Sequence, residues 1–432
     1  MCLLKALRAR IHRCGYPSGF ELRDVSIDLD EGEMLLVTGR SGSGKTTLIR
    51  ALTGTIEVAG GFLEGDVVVY GRSLRELTPD EVFNMVTYIP QEPWYGVIGY
   101  SVYAEVCHVL SLKGTTCSDV DFLVLGLAKL LHRPVHTLSA GEVQRVLWAD
   151  AVVKGSGILL LDEPMVYIDE ESRGIVKHIV ENALEENFSV VLVDHNPEFW
   201  SSLQPSILVL ENGTCKYSGR WNPDVLEKPS TPVRKPRERG GEIVVLSNVW
   251  FKYPGQNHYV LRDFSISVSK GVFTLVKGPN GSGKTTALRI ASGILKPTKG
   301  RVERRGRCIY IPENPLLFFT MPTPRDELLK ASGGNENRVL EVSEVLGIKH
   351  ILDKPLAKIS TGERRRVAIA SAYLAGFDVY FVDEPTGGLD WSSASSVLEV
   401  LSTLTEEKKA VVVASHDSRV FEYADVVIKL GG

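Results

Sequence analysis

Short apolar runs punctuate the chain and stop abruptly at polar residues. Met34-Leu35-Leu36-Val37 leads into a glycine-rich turn, Ile158-Leu159-Leu160-Leu161 into Asp162-Glu163-Pro164, and Ser189–Val193 into Asp194-His195. The second half repeats the series at Val272–Val276, Val379–Val382 and Ala410–Ala414. Unbroken runs of this length, rich in Val, Leu and Ile, predict strands buried on both faces. Helical stretches fall between them: Thr47–Leu52, Ser101–Leu112, Asp119–Leu131, Arg325–Lys330 and Asn335–Leu346. Strand-like runs alternating with helices predict an α/β fold, a parallel sheet flanked by helices. Residues 91–139 and 313–360 are mainly helical, which predicts a small helical subdomain inserted into each core.

The same order of features occurs twice. Lys45 and Lys284 stand 239 positions apart, whereas Gly141 and Gly362, Asp162 and Asp383, and His195 and His416 each stand 221 apart. Self-similarity at a steady offset marks duplicated units. The first half therefore carries 18 more residues between its glycine turn and its middle. That excess maps near Gly65–Leu77, where Asp66–Gly71 reads as a strand and turn. The second half is trimmed to the short Gly300–Gly306 segment. Between the halves, Asn222–Gly241 holds Pro223, Pro229, Pro232 and Pro236 with Arg234, Lys235, Arg237 and Arg239. It reads as an extended linker able to span roughly 60–70 Å. The chain divides into a first domain at 1–221, this linker at 222–241 and a second domain at 242–432. A basic run can bind nucleic acid or anionic lipid, but a solvated linker is the plainer reading.

Bulk properties narrow the class. A length of 432 residues suits two or three domains, and 44% hydrophobic with 24% charged residues is ordinary for a globular protein. A net charge of −4 advertises no nucleic-acid partner. The six cysteines, at 2, 14, 107, 117, 215 and 308, form no C-x-x-C pair, which argues against zinc or iron–sulfur sites and for a reducing compartment. The start of the chain has no long apolar core, so no signal peptide is expected there. No run approaches the ~20 apolar residues of a membrane helix.

The glycine turn at Gly39–Thr47 fits G-x-x-x-x-G-K-S/T, the phosphate-binding loop, and Gly278–Thr286 repeats it. Gly39, Ser41, Gly42, Ser43 and Gly44 let backbone N–H groups curl inward at phosphate oxygens, as do Gly278, Asn280, Gly281, Ser282 and Gly283. The helix N-terminus adds partial positive charge at Thr47 and Thr286. Lys45 and Lys284 would reach the β- and γ-phosphates, while the Thr46 and Thr285 hydroxyls would ligate Mg²⁺. Asp162-Glu163 and Asp383-Glu384 each end a buried strand. Side chains alternate along a strand, so the two acids of a pair point differently. Asp162 and Asp383 can hold Mg²⁺, while Glu163 and Glu384 act as general base or orient the attacking water. His195 and His416 end strands at equal offset and can sense a γ-phosphate. Ser139-Ala140-Gly141-Glu142 and Ser360-Thr361-Gly362-Glu363 open helices carrying Arg145 and Arg366. These are anion-binding helix ends, or plain N-caps if read singly.

The set resembles the ATP-binding cassette (ABC) ATPases in order and spacing, over nearly the whole chain. Phosphate loop, Leu-Ser-x-Gly-type signature, strand-Asp-Glu, a loop with Asp169 or Asp390, and a switch histidine all occur twice. The resemblance implies tandem P-loop NTPase domains, each a mixed sheet core with an inserted helical subdomain, stacked head to tail about a pseudo-twofold axis. It implies ATP and Mg²⁺ as ligands. Tyr16 and Tyr253 correspond to the aromatic that stacks on adenine, and Gln91 to the glutamine that contacts Mg²⁺. Sites would be composite, Lys45 working with Ser360 and Gly362, and Lys284 with Ser139 and Gly141. Departures accompany the match. Both signatures carry Glu where Gln is usual, Met165–Asp169 is unlike the common loop, and Glu313 stands where Gln91 stands. The two sites are therefore expected to hydrolyse at unequal rates.

Gln91-Glu92-Pro93 and Glu313-Asn314-Pro315 resemble the Gln-Asn-Pro loop of energy-coupling-factor ATPases, which drive vitamin and metal-ion uptake. Each is followed 14 residues on by an acid, Glu105 or Glu327. The corresponding family segment lies beside the groove that accepts a membrane partner. This implies a peripheral cytoplasmic ATPase on the inner membrane face, one chain per transporter. Integral membrane subunits would then bind the small-molecule or metal-ion substrate, and no nucleic acid would be involved. Two other classes stay open. One is a soluble twin-cassette ATPase acting on ribosomes or nucleic acid, kept alive by Arg301, Arg304, Arg305 and Arg307. The other is a fused-cassette sugar importer.

Overall fold

In a computed structural model, residues 5–431 are described except 18, 41, 92, 113, 115, 118–126, 129, 139, 167–169, 227–238, 256–257 and 280. The chain forms two compact units, 1–227 and 228–432. Residues 119–126 and 129 of the helix predicted at Asp119–Leu131 lie outside the described residues, and its end, Leu127, Ala128, Leu130 and Leu131, is turn or irregular rather than helical; most of the linker, with Arg234, Lys235 and Arg237, also lies outside the described residues.

The first unit opens with β1 (Lys5–Gly15), β2 (Glu21–Asp30) and β3 (Met34–Gly39), then α1 (Lys45–Leu52). β4 (Phe62–Val69), β5 (Arg72–Ser73), α2 (Pro79–Met85) and β6 (Val86–Ile89) follow. Next come α3 (Val102–Leu112), α4 (Ala140–Lys154), β7 (Ile158–Asp162), α5 (Glu170–Glu185), β8 (Ser189–Val193), β9 (Ser206–Glu211) and β10 (Thr214–Arg220). All ten strands join one sheet, in the order β5-β4-β1-β2-β10-β9-β3-β8-β7-β6. β6, β7, β8, β3 and β9 pair in parallel. The β4-β1-β2 side is antiparallel, and β10 joins the two parts. The sheet is therefore mixed rather than wholly parallel. All five residues of β7 and of β8 are buried, as their unbroken apolar runs require.

The second unit begins with β11 (Glu242–Phe251), β12 (Leu261–Ser269), β13 (Phe273–Lys277), α6 (Lys284–Ser292), β14 (Lys299–Arg304) and β15 (Cys308–Ile311). α7 (Pro324–Ala331), α8 (Glu336–Val345), α9 (Thr361–Ala375), β16 (Val379–Asp383), α10 (Trp391–Glu406), β17 (Ala410–Ala414), α11 (Ser418–Phe421) and β18 (Val426–Lys429) complete it. Here the strands form two sheets, an antiparallel β12-β11-β14 and a parallel β15-β16-β17-β13-β18. No strand among the described residues plays the joining part of β10. α7, α8 and α9 pack on one core with Leu328, Val339 and Val367 fully buried. Each such side chain contributes roughly 1.5–3 kcal/mol.

Two expectations need correction. The extra residues of the first half are not centred on Gly65–Leu77. β4 has its counterpart in β14, each pairing antiparallel with the first strand of its unit. Most of the excess is β5, a 3₁₀ turn at Leu74–Glu76 and α2. α2 opens with a capping box, Thr78 and Glu81 satisfying each other's backbone N–H, with Pro79 at its first turn. That Thr-Pro-Asp-Glu signature was readable in the sequence. The second correction concerns the cysteines. Cys107 on α3 is disulfide-bonded to Cys117. Cys14, Cys215 and Cys308 are free thiols.

Candidate functional site

Both phosphate loops leave the carboxyl end of a buried strand and open a helix: β3 into α1 and β13 into α6. Gly44 and Gly283 cap those helices with left-handed φ of 106° and 96°. A Cβ on Gly44 would approach Leu22 to 2.5 Å, so the turn requires glycine. Lys45 Nζ donates to the Gly39 and Arg40 carbonyls at 2.8 and 3.0 Å. Lys284 Nζ donates to Gly278 and Pro279 at 2.7 and 3.1 Å. Each ammonium thus folds back onto its own loop. The Ser43 and Ser282 hydroxyls are buried there without a hydrogen-bond partner. Such an orphaned group costs about 1–3 kcal/mol unless a ligand engages it. Ammonium, spare hydroxyl and helix N-terminus make an anion-binding set that fits the phosphates of ATP.

Beside each loop lies a set of hard oxygen donors. Thr285 Oγ1 and Tyr310 OH donate to the same Asp383 oxygen at 2.6 and 3.0 Å. Tyr88 OH donates to Asp162 at 3.4 Å. Burial raises the pKa of both aspartates, with Glu163 adding to the effect on Asp162. A divalent cation relieves that cost. Thr46 and Asp162, with Gln91, and Thr285 and Asp383 fit Mg²⁺ by ligand chemistry. Bound there, Mg²⁺ would neutralise phosphate charge.

Glu163 and Glu384 occupy left-handed backbone, with φ of 50° and 44°. Non-glycine residues there carry on the order of 1–3 kcal/mol of strain unless the surroundings hold them. Their N–H groups are held, donating to Val193 and Ala414 at 2.8 and 2.9 Å. Beyond this the two sites differ. In the first, Gln91 Nε2 donates to Glu163 Oε2 at 2.6 Å, and His195 Nε2 meets Glu163 Oε1 at 2.6 Å. In the second, the ionised carboxylate of Glu313 cannot donate as Gln91 does. Ser415 Oγ donates to Glu384 Oε2 at 2.8 Å instead. His416 Nε2 lies 3.8 Å from Glu384 and 2.8 Å from Lys284 Nζ. The ammonium has only protons to offer, so His416 accepts at Nε2 and carries its own proton on Nδ1. Burial, then Glu313 and Asp383, raise the pKa of Glu384. The protein packed around Glu313, then Asp383, raises its pKa too.

Other anticipated residues fall around this centre. Tyr16 accepts a hydrogen bond from Arg50, whose guanidinium lies 6.0 Å from the ring centre. Tyr253 OH is 3.1 Å from Thr286 Oγ1. Both tyrosines thus lie against the helix that follows their phosphate loop. Ser360 caps α9 in a capping box with Glu363, so its hydroxyl accepts from the Glu363 N–H. Glu142 pairs with Arg133 at 2.8 Å. Ser41, Ser139, Asp169 and Asn280 lie outside the described residues, and so does the side of α4 at Gly141.

Several supporting residues escaped sequence reasoning. Tyr88 and Tyr310 hold the aspartates and stand three residues before Gln91 and Glu313. Gln144 donates to the Pro164 carbonyl at 2.5 Å. Its counterpart Arg365 donates to the Gly387 carbonyl and to that of Glu313, the latter at 2.9 Å. Each pair recurs at the offset of its neighbours, which was the available signal.

The sequence profile described as ABC transporter matches residues 22–166 and 261–387, more than half of the chain. The chain belongs to the ABC transporter family. As ABC ATPase cassettes, its two units are built to bind and hydrolyse ATP. An ABC transporter ATP-binding protein of Saccharolobus solfataricus, provisionally so named, is 28% identical over 93% of this chain and 87% of its own length. A Bacillus subtilis protein provisionally named an HMP/thiamine import ATP-binding protein is 26% identical over 94% of this chain and 86% of its own. Among solved structures, an RNase-L inhibitor superposes with a TM-score of 0.70 at 23% identity, covering 98% of this chain and 88% of that one. ABCE1 in a model of ribosome-bound archaeal Pelota and ABCE1 gives 0.73 at 23% identity, covering 98% and 76%. Those two likenesses concern the tandem-cassette fold.

Proposed function

We propose that this chain is the ATP-hydrolysing subunit of an importer of the energy-coupling-factor kind, working through separate membrane subunits. The observation that carries this reading is an apolar groove beside the Gln91 loop, lined by Glu105 and rimmed by exposed Ile98 and Leu112. Exposed apolar surface of this kind marks a docking site. Among the described residues no helix is long and apolar enough to cross a membrane, so a membrane path would belong to other chains. The thiamine-import name of one relative points the same way. The chain's own groups supply the working parts. Lys45 and Lys284 hold phosphate, Asp162 and Asp383 hold the cation, and Glu163 and Glu384 take the proton from water at a carboxylate oxygen.

Affinity purification of the tagged full chain from native membranes in mild detergent tests this reading. Co-purification of an integral membrane protein in stoichiometric amount supports it. Sedimentation with ribosomes in low salt, lost in high salt, would replace it with the ribosomal class.

A further inference from the structure

In the second unit, two arginines hold the loop that follows Glu384. Three of its carbonyls, those of Thr386, Gly387 and Leu389, accept from guanidinium groups. Arg365 on α9, only 3% exposed, donates to Gly387 and reaches back to the Glu313 carbonyl. Arg419 on α11 donates to Leu389 through Nη1 at 3.0 Å and to Thr386 through Nη2 at 3.3 Å. The loop ends at Asp390, which accepts the Ser393 N–H at 2.7 Å and so caps α10.

Arg419 also reaches the switch-histidine turn. Its Nε and Nη2 donate to Asp417 at 2.8 and 2.6 Å. The Asp417 N–H donates to Ser415 Oγ at 3.1 Å, and Ser415 Oγ donates to Glu384 Oε2 at 2.8 Å. The path is therefore a ring. It leaves Glu384 through Ser415, passes Asp417 and Arg419, and returns at Thr386 and Leu389 to the loop that Glu384 begins. The Arg419 and Asp417 side chains are only 17% and 16% exposed, so water screens their pair weakly. A planar guanidinium can hold a carboxylate and two carbonyls at once, which an ammonium on a flexible stem does poorly.

The matching residues of the first unit cannot build this ring. Glu198, exposed, stands where Arg419 stands, and an ionised carboxylate has no proton for a carbonyl. Asn196 stands where Asp417 stands, and Asp194 where Ser415 stands.

We propose that Arg419 is a positioning residue for hydrolysis at the second site. It clamps the turn that carries Ser415 and His416 to the loop after Glu384, so the Ser415 hydroxyl stays aimed at the catalytic carboxylate. The proposal rests on the reading of Glu384 as the residue that takes the proton from water, and deepens it by naming what holds that carboxylate's donor in place.

Steady-state ATPase of the full chain in a Glu163→Gln background tests this. Arg419→Met should lower kcat about tenfold and leave KM for ATP within about twofold, because the ring ends on the carboxylate and not on the phosphate loop. Arg419→Lys keeps a charge beside Asp417 but not the fork, and should show the same loss. Added to Ser415→Ala, Arg419→Met should cost less than about twofold more, since both variants act on the same bond. Full additivity of the two losses, a raised KM with kcat unchanged, or unchanged kcat in Arg419→Lys would overturn the proposal. So would an equal loss of first-site turnover in a Glu384→Gln background, the mark of a merely structural arginine. If adding Glu384→Gln to Glu163→Gln costs no further activity, the reading of Glu384 falls, and the proposal with it.

Discussion

Ser415 donates a hydrogen bond to Glu384 at 2.8 Å, and the matching residue of the first unit, Asp194, makes no such bond to Glu163. Asp194 instead accepts from the Trp200 indole and the Asn196 N–H, both at 2.8 Å. The difference is matched across the site: Gln91 Nε2 donates to the first glutamate, where the second unit has the carboxyl group of Glu313. Each catalytic carboxylate thus keeps a side-chain donor, Gln91 in the first unit and Ser415 in the second.

If Ser415 replaces the glutamine, Ser415→Ala should cut second-site turnover by about tenfold, one charge-assisted hydrogen bond being worth roughly 1.5–3 kcal/mol. Adding Glu313→Gln should restore much of the loss by rebuilding the first unit's arrangement. ATPase assays in a Glu163→Gln background read this; no rescue would place the role of Ser415 elsewhere.

Tyr88→Phe and Tyr310→Phe remove a hydroxyl that orients an aspartate. The expected outcome is a several-fold weaker Mg²⁺ requirement curve for ATP hydrolysis, larger for Tyr310, whose bond is 3.0 Å against 3.4 Å. Equal, unshifted Mg²⁺ curves would count against this role.

Asp150 predicts a pH dependence of stability. Its folded pKa, raised to about 8 by burial and Glu105, exceeds the unfolded value of 3.8. Below both values the carboxyl is protonated in either state, and it costs nothing. As pH rises the unfolded chain ionises first, so stability falls from about pH 4 and levels off above pH 8. Asp150→Asn should remove this slope and gain several kcal/mol at pH 8. Thermal unfolding of both proteins from pH 5 to 8 measures it; parallel curves would contradict it.

The strands around the sites were legible because strands buried on both faces must be continuously apolar, as β7 and β8 are. The phosphate loops were legible because a turn that holds phosphate needs glycine, lysine and hydroxyl in fixed order. Residues 70–85 were misjudged because β4 absorbs Asp66–Val69 into pairing with β1, which only the register reveals. Tyr88 and Ser415 look like ordinary strand-end residues until the fold sets them beside an acid. The groove draws on α3, α4, the residues after α1 and residues 74–89, so no single stretch displays it. The Cys107–Cys117 bond depends on the chain turning back after α3, which spacing alone does not state.

The central claim is that one chain carries two ATP sites that are built alike and work unequally. Steady-state ATPase of Glu163→Gln and Glu384→Gln tests it most directly. The account predicts that Glu163→Gln, which disables the site with both Gln91 and His195 on its carboxylate, loses about 100-fold. Glu384→Gln, which disables the site whose glutamate is held partly neutral by burial, then by Glu313 and Asp383, should lose no more than a few-fold. Equal losses in the two single variants would contradict it.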